Sequence, residues 1–266
     1  MSKKHKISFN YLMGGILTGL ILLIIFIGIV AMPYDPEAMD ATLKFAPISF
    51  KHPMGCDNFG RDIFSRVLQG TKMTLLIAAG TVCIGTFAGI LIGAFTGYFG
   101  GWLDEVLMRL IDAVFAFPSI LLALVMISLF GSGKWNVTLS LGIAFIPSFA
   151  RIVRSEFMNQ KNLDYVKSAR LMGAGHLRII FVHILPNILP VLISSVMIGF
   201  NNAVLAEAGM SYLGIGVQPP DASLGRMLSE AQTYLFSTPT YALFPGLVLI
   251  LMVLGFSLLA DGVKTK

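Results

Sequence analysis

The sequence predicts an all-α membrane protein with six transmembrane helices and a short polar helix between the fourth and the fifth. Three observations carry this. Hydrophobic residues make up 56% of the 266 positions and charged residues only 12%, against roughly 25% charged residues in ordinary soluble domains. The apolar residues gather into runs long enough to cross a hydrocarbon layer, a crossing that takes about 20 helical residues. One helix-sized polar insert, D-Y-V-K-S-A-R-L-M-G-A-G-H-L-R from Asp164 to Arg178, interrupts this oily sequence and has to face water. The mean hydropathy of +0.81 agrees. Six spans and their loops use the whole length, which leaves no room for a soluble catalytic domain.

The first helix is expected over about Tyr11 to Ala31, ending before Pro33 and Pro36. Its basic start, Met1 to Lys6, resembles a signal peptide, but the apolar run is too long and has no small-residue cleavage site, so it reads as a retained span. The second is expected over Met73 to Tyr98, the third over Val106 to Phe130 with Pro118 inside it, and the fourth over Val137 to Val153 with Pro147 inside it. The fifth runs from Ile179 to Ala208 and the sixth from Tyr241 to Ala260. Proline is tolerated in such helices where neighbours satisfy the freed backbone groups. The organisation is then a first unit over 1–32, an outer loop over 33–72, and a core over 73–266 whose polar loop covers about 154–180. The segment Gly209 to Pro239, rich in turn formers, is expected to fold back onto the membrane on the outer side.

Charge sets the orientation. With the N-terminus inside, the inner segments collect Lys3, Lys4, Lys6, Arg151, Arg154, Lys161, Lys167, Arg170 and Arg178 in excess over acids. The outer segments balance Lys44, Arg61, Arg66 and their neighbours against Asp35, Asp57, Asp62 and Glu230. Basic residues favour the cytoplasmic side, so both termini are expected in the cytoplasm. The net charge of +5 follows from this bias and does not point to nucleic acid. Cys56 lies in a polar loop and Cys83 in an apolar run, so no disulfide is expected.

Gly85, Gly89, Gly93 and Gly97 share one face of the second helix. Small residues let a neighbouring backbone approach closely, either within the chain or at a subunit interface. Gly15 and Gly19 repeat the spacing once in the first helix. In the polar insert, Asn162 or Asp164 can cap a helix start, and Gly173 and Gly175 can end it. Val166, Ala169, Met172 and Gly173 fall on one face of this helix, a small-residue surface suited to docking. Pro186 and Pro190 then bend the fifth span.

The insert is similar to the cytoplasmic coupling motif of ATP-binding-cassette importer permeases, whose pattern is E-A-A, three residues, G, nine residues, I-x-L-P. The frame falls on Lys167-Ser168-Ala169, Gly173 and His183-Ile184-Leu185-Pro186. Lys167, Ser168 and His183 depart from it; Ala169, Gly173, Leu185 and Pro186 match. Three further segments resemble the C-type permeases of peptide and nickel importers: His52 to Asp62, Gly97 to Asp112, and Ala206 to Pro220. The resemblance runs from about Tyr34 to the C-terminus. Cys56 stands where many relatives carry Thr, and no redox role is expected.

This resemblance implies the type I importer permease fold in a bacterial or archaeal plasma membrane. It implies one half of a translocation path for peptides, nickel or metal chelates, completed by a second, similar permease in a heterodimer. Two ATPase subunits would bind below and supply all ATP and Mg chemistry, and a solute-binding protein would dock outside. The coupling residues implied are Asp164, Tyr165, Lys167, Ser168, Ala169, Gly173 and Pro186. Of the path or gate candidates, Glu207 is an acid inside a span, where charge is costly and usually functional. Asn201 and Asn202 lie in the same helix. Gly131-Ser132-Gly133-Lys134 lacks the first glycine and the Ser or Thr of a phosphate loop, so no ATP site is expected in this chain. His5, His52, His176 and His183 lack metal-ligand spacing, and no catalytic or metal residues are expected. His52 with Cys56 and Asp57 reads as a structural loop. The competing reading is a self-sufficient secondary transporter, which the single intramembrane acid argues against.

Overall fold

Inside hydrocarbon every backbone N–H and C=O has to be satisfied by its own segment, which leaves a lipid-embedded chain helices or a closed barrel. The computed structural model, which describes residues 9–264, is helical. Among those residues the strand content is one isolated bridge between Cys56 and Asp62. The basic segment Met1–Lys6, with His5, and the terminal Lys266 lie outside the described residues.

Five helices are long and apolar enough to span a membrane, and a bent pair makes a sixth. Helix α1 covers Phe9–Val30 and α2 covers Ile63–Phe99. The bent pair is α3, Gly101–Phe115, and α4, Ser119–Phe130. Next come α5, Lys134–Gln160, the short α6, Asp164–Leu171, and a single turn α7, His176–Arg178. A π-helical stretch over Ile179–Ile184 leads into α8, Leu185–Tyr212. The outer α9, Leu224–Ala231, precedes α10, Thr240–Lys264.

Two helices differ from expectation. The third span is broken rather than kinked: α3 and α4 meet at 85°. Pro118 removes a donor and biases Phe117 away from helical geometry, and α3 closes with Ala116 N–H on Asp112 O and Phe117 N–H on Val114 O. The second span begins ten residues earlier than Met73, at Ile63, where Asp62 caps it by accepting from Ser65 N at 2.7 Å. Its 37 residues extend about 55 Å at 1.5 Å per residue, well beyond a bilayer core of about 30 Å.

The glycine ladder packs within the chain, α2 against α5. A Cβ added at Gly89 would stand 2.5 Å from Phe149 Cβ, one at Gly93 2.5 Å from Ala150 O, and one at Gly97 2.7 Å from Arg154 O. Gly15 and Gly19 face open space. In α1 the close approach comes instead from Gly14, where a Cβ would meet Leu259 N of α10 at 2.6 Å. The α2–α5 seam joins a large apolar core to a smaller one around Val153, Phe157, Val166 and Ile180 at the α6 end. The rest of α1 exposes Leu12, Ile16, Leu23, Phe26 and Ile29, as suits a helix with lipid around it.

Replacing Gly89 with Val is expected to destabilise the protein by about 1 to 3 kcal/mol, the usual cost of overpacking a core. Gly15→Ala is expected to leave stability unchanged. Thermal unfolding in detergent checks both.

Candidate coupling site, path cavity and outer cap

The polar loop around α6 is built on the end of the α2–α5 seam. Lys161 Nζ donates to Gly97 O at 2.9 Å. Arg154 of α5 grips Asp104 of α3 with two bonds, Nε to Oδ1 at 2.5 Å and Nη2 to Oδ2 at 2.6 Å. Helix α6 then begins without a side-chain cap, its N-cap being Leu163; neither Asn162 nor Asp164 caps it. Asp164 sits in its first turn instead, where a carboxylate complements the helix dipole, and accepts from Lys167 Nζ at 3.1 Å. Tyr165 OH donates to Gln160 Oε1 at 2.9 Å.

The helix stops where expected. Gly173 has φ +83°, its N–H donates to Arg170 O, and Ala174 N–H donates to Ala169 O, each at 3.0 Å. These two bonds form a Schellman closure, for which glycine is the residue without a Cβ penalty. Past it, His176 Nδ1 and Tyr98 OH lie 2.9 Å apart, and Arg170 Nη2 reaches the same hydroxyl at 3.4 Å. Pro186 is exposed near the start of α8.

The face expected to dock a partner is divided: Met172 and Gly173 are exposed, whereas Ala169 is only 3% exposed and Val166 1%. Val166 packs in an apolar cluster with the chain's own Ile179, Ile180 and Phe157. The surface that α6 and its turn present outward is Ser168, Leu171 and Met172, the last two 89% and 81% exposed. Periodicity alone could not separate an inward small-residue face from an outward one, because both repeat every three or four residues. The exposed Leu-Met pair just before a glycine was the available signal.

A cavity of about 390 Å³ opens between α4, α5 and α8, lined by Ser119, Phe145, Ser148, Phe149, Ser195, Gly199, Asn202 and others. Asn202 is among the lining residues; Asn201 and Glu207 are not. Sequence reasoning missed Ser119, Ser148 and Ser195. Ser195, Gly199 and Asn202 share one face of α8 at helical spacing, so the stripe was legible from Asn202 outward.

Glu207 is fully buried and is met by hydroxyls. Ser211 Oγ donates to its Oε1 at 2.7 Å and accepts from Val217 N–H at 3.0 Å. Thr74 and Ser223 border the same carboxyl. Thr74 Oγ1 accepts from Leu224 N–H at 3.2 Å and Ser223 Oγ from Arg226 N–H at 3.2 Å, while Glu207 Oε2 has no hydrogen-bond partner among the described residues. The carboxyl thus gathers α2, α8 and the outer segment, which is folded back with Val217, Ala222, Leu224 and Met227 fully buried.

The outer cap carries an ion cluster. Glu230 Oε2 accepts from Arg61 Nη2 and Arg66 Nη2, each at 3.0 Å, and from Tyr241 OH at 2.9 Å. Arg61 Nε also meets Asp57 Oδ2 at 2.6 Å. Burial works to raise the Glu230 carboxyl, but Arg66 and Arg61 outweigh it and hold the group below its ordinary 4.5. Beside the cluster, His52 Nδ1 and Asp62 Oδ1 lie 2.9 Å apart. The donor atoms of His52, Cys56 and Asp62 all fall within 4.8 Å of one another, with His52 and Asp62 spending theirs on each other. Burial, then the Asp62 and Asp57 charges, push the Cys56 thiol up to about 11, which keeps it an inert packing group.

Residues 89–265 match the family described as binding-protein-dependent transport system inner membrane component. The chain belongs to this family. It is 39% identical over 94% of its length to a glutathione transport system permease protein, GsiD, of Pectobacterium atrosepticum, covering 83% of that relative. It is 38% identical over 94% of its length to a dipeptide transport system permease protein, DppC, of Haemophilus influenzae, covering 88% of it. The inward-facing MetNI methionine ABC transporter aligns with a TM-score of 0.62 at 19% identity, over 75% of this chain and 95% of that one. An amino acid ABC transporter aligns at 0.54 and 21% identity, over 74% and 91%. The protein is therefore a permease subunit of a binding-protein-dependent ABC importer, with the importer permease fold, and it works beside ATPase and binding-protein partners.

Two outcomes follow for the permease. Ala169→Leu is expected to cost about 1 to 3 kcal/mol, because it overpacks a buried position, and to lower the yield of folded permease even without partners, as size-exclusion profiles would report. Glu230→Gln is expected to cost about 1.5 to 3 kcal/mol by removing a charged acceptor, which leaves Arg61 on Asp57 at 2.6 Å and Arg66 with Asp57 at 3.7 Å. A carboxyl held below 4.5 in the fold stabilises fully above the ordinary carboxylate range and loses that contribution as pH falls through its lowered value. Unfolding of the native permease below pH 4.5 should therefore steepen, and the Gln variant should lack that limb.

Proposed function

We propose that this permease forms one half of a translocation path for short peptides, in a heterodimer with a second, similar permease. Two ATPase subunits supply the ATP chemistry from the cytoplasm, each seating one coupling segment, and in this chain that segment is α6 with its turn through Gly173. Both termini lie in the cytoplasm of a bacterial or archaeal cell and the ion-clustered cap faces outward. The observation that carries the substrate class is the cavity lining. Its polar groups are Ser119, Ser148, Ser195 and Asn202, and no charged side chain joins them. Such a surface offers donors and acceptors to amide groups without selecting a net charge, which suits a peptide backbone with paired termini. The relatives named for dipeptide and glutathione transport support the same class, whereas a metal ion or chelate would favour carboxylate or imidazole groups.

The coupling segment acts by seating. ATP-driven closure of the ATPase pair moves α6, and α8 carries that shift to the cavity as a rigid element with alternative packings. Asp164 and Lys167 fix the first turn, Tyr165 ties it to α5, and Gly173 closes it.

The test is reconstitution of the permease pair, ATPases and binding protein in vesicles, with labelled dipeptide supplied outside. ATP-dependent dipeptide uptake is expected, together with aqueous labelling of Met172→Cys from the cytoplasmic side only. Uptake by this chain alone, as a self-sufficient secondary transporter would show, overturns the reading. A binding protein that takes nickel chelates and no peptide overturns the substrate class.

A further inference from the structure

The solvent-facing rim of the coupling loop is basic. Lys167, Arg170 and Arg178 are exposed, with His176 among them. Asp164 is the acid in this stretch, and Lys167 already bonds it at 3.1 Å. Arg170 is partly committed to Tyr98, which leaves Arg178 and the outward side of Lys167 open to a partner. In the E-A-A pattern an acid stands where this chain has Lys167, so the sign of the rim at that position is reversed.

Two further features lie within this rim. Leu171 and Met172 project from the closed turn with almost no cover from their own chain, and exposed apolar area is favourably covered by an apolar partner surface. Below Met172 lies a recess of about 200 Å³ lined by Ala169, Met172, Gly173, Ala174, Arg178 and His183. Its polar groups are a guanidinium and an imidazole, so it suits an entering carboxylate. The fixed Schellman turn holds the recess, the apolar pair and the basic rim in one geometry.

We propose that the ATPase groove receiving this segment has an apolar floor for Leu171 and Met172 and an acidic rim, one of whose carboxylates enters the recess beside Arg178. The permease is thereby matched by charge to its own ATPase. This rests on the coupling reading of α6. Anionic lipid headgroups would also attract the bases, but a headgroup layer needs no recess of fixed shape, and Asp164 stands at the same rim with its side chain 96% exposed.

The experiment uses the complete permease pair in nanodiscs of neutral lipid, with purified ATPase added. Native binding is expected to weaken by at least about tenfold from low to high salt, as charge-matched interfaces do. The double variant Lys167→Glu, Arg178→Glu is expected to lose about tenfold or more in ATPase affinity while still pairing with the second permease. Changing an acid of the ATPase groove to Lys should restore that loss. Unaltered affinity in the double variant, or a loss seen only in discs of anionic lipid, overturns the proposal. A Met172→Cys permease, with Cys83 replaced by Ala, separates the two readings. Cross-linking to the ATPase alongside unaltered affinity in the double variant removes the charge match and keeps the coupling segment. No cross-link removes both.

Discussion

The structure depends on one close approach, the backbone of α2 against that of α5. Four glycines on one face of α2 allow it, and no side chain could be inserted at Gly89 or Gly93 without meeting Phe149 or Ala150. In hydrocarbon there is no water to expel, so helices associate through packing and hydrogen bonds. A seam this close supplies the packing term along a whole helix face. Phe149 shows its reach. Its Cβ lies against Gly89 and its ring against Gly85 on one side, and the ring meets Gly199 of α8 on the other, where an added Cβ would stand 2.6 Å from Cζ. The same ring lines the path cavity. The seam therefore sets the spacing of α2, α5 and α8 together, and with it the width of the cavity.

Polar groups do their work at the two ends of this seam. At the outer end Glu207 and three hydroxyls hold the folded-back segment to α2, and the Glu230 cluster holds the loop after Asp57 to α9 and α10. Thr74 and Ser223 accept backbone N–H groups from the first turn of α9, and Ser211 accepts that of Val217. A buried carboxyl in this position is costly alone, and Ser211 answers part of that cost by donating to Oε1 while its oxygen fixes the turn at Val217. At the inner end, Lys161 on Gly97 O and Arg154 on Asp104 fasten the coupling loop to α2 and α3. The Glu230 end is fastened through largely buried groups and the α6 end through partly exposed ones.

How much of this was legible in the sequence follows from what each signal encodes. The spans were legible because crossing hydrocarbon demands long apolar runs. The glycine ladder was legible as a face, though its partner was not, since small residues mark close approach without naming what approaches. Gly173 was legible as a stop because its backbone conformation is one that few other residues adopt. The break at Pro118 was hidden because hydropathy continues straight through it. The inward turn of Ala169 was hidden because a short helix with apolar residues on both sides has two candidate faces, and only the fold decides which is covered. The start of α2 at Ile63 was hidden because Arg66 and Gln69 look like loop residues until Glu230, far along the chain, is placed beside Arg66.

Helix α8 connects the two ends. It enters through the π-helical stretch Ile179–Ile184, where Leu185 N–H reaches back to Ile180 O. Pro186, whose fourth preceding carbonyl is that of Val182, explains the location, and Pro190 repeats the effect one turn further on. Each lacks a donor and crowds the carbonyl four residues earlier, and a wider turn relieves that crowding at the cost of weaker regular bonding. Asn187 Nδ2 answers part of the loss by donating to His183 O at 2.7 Å. A mid-helix departure of this kind is characteristic of functional sites. Here it lies between the coupling turn and the residues that line the cavity, Ser195 and Asn202, while the far end of the same helix is held at Glu207 and Ser211. A helix that is compliant where it receives a displacement and anchored where it ends pivots instead of sliding. Under the coupling proposed for α6, a displacement there would appear as a change of tilt along the cavity wall, largest at the α6 end and smallest near Glu207 and Ser211.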